Sequence, residues 1–143
     1  PDHPHAHNAL GYSFAERGIR LEEAYSLVKR ALELSPGDPY ITDSLAWVVF
    51  RKGQAGRAAD LLREAYAARP DTEIGAHLGE VLWSMGQREE ARRVWRESRE
   101  RDGRNKVLRD TLARLKVDLG QNPPPPAAWP RFKPETANSS AAA

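Results

Sequence analysis

Apolar and small residues recur over the first 119 positions with the spacing of helix faces. Ala24, Leu27, Val28 and Ala31, then Ala58, Leu61, Leu62 and Ala65, then Ala91, Val94, Trp95 and Ser98 each stand at i, i+3, i+4 and i+7, the mark of a buried helical stripe. Ahead of each stripe runs a second shared order of large, small, large or aromatic, and glycine. It reads Leu10, Gly11, Phe14 and Gly18, then Leu45, Ala46, Val49 and Gly53, then Leu78, Gly79, Leu82 and Gly86. The pattern predicts six helices near 4–17, 21–34, 39–52, 55–68, 72–85 and 88–101, paired into three hairpins. The glycines supply the left-handed backbone between paired helices, and Pro36 and Pro70 stop the second helices of the first two hairpins.

Packing explains the alternation of sizes. Two helices approach closely only where one presents a small side chain, so Ala46 and Ala58 mark the crossing while Leu45, Val49 and Leu62 fill the space beside it. A single hairpin of this kind leaves an apolar face uncovered and needs neighbours stacked on it. The first copy has one extra residue after its turn glycine, and the third is shortened at its entrance, both in turns that tolerate change. Asp38 before Pro39 reads as a helix N-cap, and Asp71 with Glu73 does the same at the third copy. A seventh helix over 105–119 carries Leu108, Leu112, Leu115 and Leu119 on one stripe, which suits a polar-backed cap on the last hairpin.

The expected organisation is therefore an all-α array over 1–120, with repeats at about 4–36, 39–70 and 72–103, followed by a Pro-rich tail over 121–143. Four consecutive prolines favour extended polyproline backbone, and the tail reads as a flexible linker. Trp129 and Phe132, flanked by Pro130, Arg131 and Lys133, also suit a docking peptide. PDHPHAHNAL aligns without a gap on PGDPYITDSL, which puts Pro1 on the closing proline of an earlier copy and implies a piece of a longer array. The terminal AAA resembles a vector-derived end.

Charge is high and nearly balanced, at a formal +2, so no global field draws the chain to nucleic acid or an anionic membrane. No cysteine is present, which removes disulfides, thiolate catalysis and Cys-based zinc sites. No apolar run approaches the roughly 18–20 residues of a membrane span. His3, His5 and His7 alternate, but a helix from residue 4 puts His5 and His7 on different faces, so no metal site is expected. Seven arginines fall between Arg88 and Arg104; Glu89, Glu97 and Glu100 each precede one by four residues, so a solvated, salt-bridged face is expected rather than a phosphate-binding patch.

Residues 1–119 resemble the tetratricopeptide-repeat family, because about seven constrained positions recur three times in register. Within it, NALGYSFAERG, DSLAWVVFRKG and AHLGEVLWSMGQREEARRVW resemble the C-terminal repeats of bacterial multi-repeat members, some of them cell-envelope lipoprotein adaptors that hold an enzyme with its targets. The resemblance implies a right-handed superhelical solenoid whose first helices line a concave groove. Carried over by position, that groove holds Asn8, Tyr12, Ala15 and Glu16; Asp43, Trp47, Phe50 and Arg51; and Ala76, His77, Glu80 and Trp83. Tyr12, Trp47 and Trp83 are not needed to explain the core, which leaves them for a ligand. Chaperone-binding members carry lysine, asparagine and arginine where this chain has Asn8, Tyr12, Asp43, Glu73 and His77, so capture of a C-terminal carboxylate is not expected.

The function implied is a noncatalytic scaffold that binds a peptide or helix of a partner protein in the groove, without cofactor or metal. Self-association through the array ends or the tail is the alternative, with a homo-oligomer as its product. RNA binding requires a basic groove, and Asp43 and Glu80 speak against it. His77 and Glu80 at i, i+3 lack a second ligand or a nucleophile at helical spacing, so no catalytic residue is expected.

Overall fold

The computed structural model, which describes residues 3–120, contains seven helices: α1 Pro4–Arg17, α2 Leu21–Leu34, α3 Pro39–Arg51, α4 Ala55–Ala68, α5 Thr72–Ser84, α6 Arg88–Arg101 and α7 Lys106–Leu115. No strand occurs among the described residues. Consecutive helices pair as α1/α2, α3/α4 and α5/α6, and each hairpin stacks on the next through α1 on α3, α2 on α3, α4 on α5 and α3 on α5. The last helix, α7, packs mainly on α5.

Local chemistry sets the helix ends. The Asp38 carboxylate accepts from the backbone N–H of Tyr40 at 2.9 Å and of Ile41 at 3.3 Å, and Asp71 accepts from Glu73 and Ile74 in the same way. These bonds satisfy donors that the first helical turn leaves unpaired. Gly18, Gly53 and Gly86 close the first helices at φ of 67°, 93° and 83°. The extra residue of the first copy is absorbed by Arg20, which takes the left-handed region at φ 49° immediately before α2. Non-glycine residues adopt that region at a cost.

Small residues let the helices meet. Ala24, Ala46, Ala58 and Ala91 are fully buried. At Gly79 the closest neighbour is the Trp95 indole, which lies against the α5 backbone where any β-carbon would overlap it and donates its N–H to the Ala76 carbonyl at 3.2 Å.

Two expectations need correction. Leu10 matches Leu45 and Leu78 in the pattern, yet it is 46% exposed while they are buried, because no hairpin precedes α1 among the described residues. The seventh helix ends at Leu115, not 119. Lys116 turns left-handed at φ 58°, the Val117 N–H returns to the Leu112 carbonyl, and Arg92 and Arg99 bind the Asp118 and Gly120 carbonyls. That reversal brings Leu119 back into the core.

Arg92, Arg93 and Arg99 of α6 are engaged, but with other partners than the spacing suggested. Arg93 pairs with Glu97 and Glu90, Arg63 of α4 reaches Glu90 at 3.0 Å, and the Tyr66 hydroxyl donates to Glu97 at 3.0 Å. Interhelix contacts from α4 take up Glu90 and Glu97, and the Arg63 guanidinium holds the Glu90 carboxyl below its ordinary range. His5 and His7 lie within α1, and no cluster of side chains able to hold a metal occurs among the described residues. No helix there is long and apolar enough to cross a membrane. The tail, with Trp129 and Phe132, lies outside the described residues.

Candidate functional site

Side chains from all three first helices converge where α1, α3 and α5 face one another. The His77 ring on α5 stacks on the Trp47 indole of α3, with centroids 4.3 Å apart and planes 28° from parallel. Its Nδ1 lies 2.8 Å from Asp43 Oδ1 on α3 and its Nε2 lies 3.2 Å from the Tyr12 hydroxyl on α1. Trp47 donates its indole N–H to Glu16 Oε1 at 3.0 Å, and Phe50 packs against the same ring at 5.2 Å. Glu80, one turn along α5 from His77, receives a two-pronged guanidinium contact from Arg114 of α7 at 2.6 and 2.9 Å.

The electrostatics follow from burial. Burial pulls the His77 pKa down, but the adjacent Asp43 charge and hydrogen bond, with Glu16 and Glu80 nearby, outweigh it and leave the group above its ordinary value. Burial together with Glu16, Asp43 and Glu73 pushes the Tyr12 hydroxyl well above its usual range, so it stays neutral. Arg114 is held firmly charged by Glu80. With Asp43 holding one ring nitrogen and Tyr12 the other, both His77 nitrogens are satisfied.

Beside this network lies a cavity of about 100 Å³, lined by Glu16, Trp47, His77 and Glu80 on one side and by Val107, Asp110, Thr111 and Arg114 of α7 on the other. A broader, open depression of about 530 Å³ runs along Lys106, Arg109, Asp110 and Ala113, so Asp110 borders both. The seventh helix thus walls the concave side as well as covering the end of the last hairpin.

The structure distributes the groove residues named from sequence unevenly. Tyr12, Glu16, Asp43, Trp47, Phe50, His77 and Glu80 belong to one cluster. Within it Asp43, Trp47, His77 and Glu80 are buried, Trp47 at 4% and His77 at 3% exposed, where sequence placed them on a surface left for a ligand. Trp47 is part of the core because the next repeat's His77 covers one face of its ring and Phe50 packs beside it. Asn8 is half-buried one turn before Tyr12, and its side-chain oxygen is enclosed without a hydrogen-bond partner. Ala15 and Ala76 are fully buried. The exposed Arg51 extends beside Gly18 at the α1/α2 turn. Trp83 is half-buried, with its ring contacts to Trp95 at 5.6 Å and to the guanidinium groups of Arg88 and Arg92 at 4.1 and 5.3 Å. None of these ring contacts joins Trp83 to the Tyr12, Trp47 and His77 cluster.

Four lining residues, Val107, Asp110, Thr111 and Arg114, stand on α7, whose leucine stripe marks it in the sequence only as a cap. Its apolar stripe is rotated from the leucine register, with Leu108 and Thr111 buried and Leu112 and Leu115 half-buried. The i, i+3 pairs Val107/Asp110 and Thr111/Arg114 beside that stripe were the available signal.

Three helix hairpins in register, with small residues at their crossings and a walled concave side, define a helical-repeat array with the fold of tetratricopeptide-repeat proteins. Over 80 residues the chain is 46% identical to a TPR repeat-containing protein of Pseudomonas aeruginosa, a match that covers 56% of this chain and 14% of the relative's length. The chain therefore corresponds to a small part of that relative. Among solved structures, a thermophilic TPR protein of Thermus thermophilus superposes with a TM-score of 0.68 at 23% identity, covering 82% of this chain and 66% of that one. The first TPR domain of human RPAP3 gives 0.66 at 19% identity, covering 80% and 92%, and the Sgt2 TPR domain of Aspergillus fumigatus gives 0.64 at 20%, covering 85% of each. No protein-family model matches the chain.

Proposed function

We propose that the concave side between α1, α3, α5 and α7 holds a segment of another protein, and that the chain acts as a noncatalytic scaffold. Helical-repeat arrays as a class present extended concave surfaces to partner proteins. One observation carries the reading for this chain: an open depression along α7 and a cavity with an aromatic wall share Asp110 as a border. A segment laid in the depression can insert one side chain there, the arrangement of a pocket-filling anchor surrounded by lesser contacts. The mutual engagement of Asp43, His77 and Tyr12 supports the noncatalytic reading.

Asp110 is exposed on α7, so a bulky residue there closes the cavity mouth without disturbing the core. Peptides selected from a displayed random library against the wild-type chain should lose at least tenfold in affinity for Asp110→Trp, roughly the loss of one good anchor. Equal binding to both proteins overturns the assignment of the site.

A further inference from the structure

We infer that the cavity between α5 and α7 seats a lysine or arginine side chain of the bound segment. The inference rests on the groove binding proposed above and names the chemistry of its anchor. Size comes first: about 100 Å³ accommodates several water-sized volumes, enough for the end of one side chain but not for a helix. The walls come second. Trp47 and Val107 offer apolar surface for a methylene stem, while the polar groups stand around it.

Charge then selects the head group. Glu16, Glu80 and Asp110 line the cavity against the single guanidinium of Arg114. Arg114 is spent on Glu80, holding both of its carboxylate oxygens, and the imidazole of His77 is spent on Asp43 and Tyr12. Glu16 accepts from the Trp47 N–H, lies beside the Tyr12 hydroxyl and close enough to Arg114 and His77 to act on both, and closes no ion pair of its own among the described residues. Asp110 pairs with Lys106 through one oxygen at 2.6 Å, with both side chains exposed, so that contact is readily exchanged. Two carboxylates thus face the space with acceptor capacity left over, while Arg114 and His77 are committed to Glu80 and Asp43. An entering ammonium or guanidinium gains these acceptors beside an aromatic wall, whereas an entering carboxylate meets repulsion.

Arg114 shows the same walls holding a guanidinium from within the chain, since its two terminal nitrogens each reach one Glu80 carboxylate oxygen, at 2.9 and 2.6 Å. Lys106 and Arg109 border the outer depression but not the cavity, which confines the preference for a cation to the inner position.

The experiment is an NMR titration of the wild-type chain with the blocked amino-acid amides of lysine, arginine, norleucine and glutamate, with the Trp47 indole N–H and the Thr111 amide as reporters. The lysine or arginine amide should shift both reporters to saturation, while norleucine and glutamate leave them in place. Glu16→Gln with Asp110→Asn keeps the hydrogen bond to Trp47 and the local shape, and should weaken the cationic probe about tenfold, the effect of two exposed ionic contacts. Equal shifts from norleucine overturn the inference in favour of an apolar seat, shifts from glutamate in favour of an anion seat at Arg114, and no shift from any probe removes it. Selected peptides that lose affinity for Asp110→Trp yet bind the Gln/Asn double variant as well as wild type also overturn it while leaving the groove in place.

Discussion

His77 draws side chains from three helices around one ring. An ordinary histidine titrates near 6.5. In the unfolded chain His77 has that value; in the fold, Asp43 keeps its proton on to higher pH. The folded state therefore binds more protons through the window that opens near 6.5 and extends up to the raised value. Its contribution to stability is complete below that window and is lost as pH rises across it. Thermal unfolding followed from pH 6 to 9 should show a downward drift in Tm that is absent in His77→Gln; parallel profiles for the two proteins would remove the ionic contact. Two of the α-helical glycines, Gly79 and Gly56, make an opposite pair. Gly79→Ala drives a methyl into the Trp95 ring and should cost about 1–3 kcal/mol, while Gly56→Ala meets open space in α4 and should add up to about 1 kcal/mol. Urea titration separates them by sign. The small residue at position 79 was legible from its recurrence with Gly11 and Ala46. The Trp47 stack was not, because its partner arrives from the next repeat, 30 residues along the chain.

At the scale of elements, most of the fold could be read directly. Turn glycines, N-cap aspartates and the i, i+3, i+4, i+7 stripes are local signals, and α1, α2, α4 and α6 begin and end where those signals place them. α7 shows where local signals stop. Its leucine spacing continues to Leu119, but arginines on α6 capture the Asp118 and Gly120 carbonyls and turn the chain before the helix can continue. Its contact with α5 depends on a pair 34 residues apart, Arg114 with Glu80. Glu80 is buried while Arg114 is largely exposed. Arg114→Ala therefore leaves an unpaired buried carboxylate and should cost about 1–3 kcal/mol, and adding Glu80→Gln should restore part of it. Chemical denaturation of the single and double variants measures both. A double variant no more stable than Arg114→Ala would show that the carboxylate does not need its partner.

The whole molecule is held by contacts that skip a repeat as well as by those that join neighbours. Stacking alone links each hairpin to the next, so stability in such arrays is a sum of nearest-neighbour contributions. Here the Tyr12 hydroxyl of the first hairpin reaches His77 of the third. The candidate site was legible in sequence only as a set of residue types on first helices; their convergence on one ring depends on how strongly successive hairpins turn, which no single repeat encodes.

That long-range hydroxyl contact works as a strut across the arc, because it fixes the distance between the outer hairpins and hence the radius of curvature. Tyr12→Phe keeps the ring and removes the strut, so small-angle scattering should report a larger radius of gyration with unchanged helical content, and an unchanged radius would show that stacking alone sets the bend. Any partner that needs a wider opening must first break this tie, which makes the array's pitch part of its selectivity.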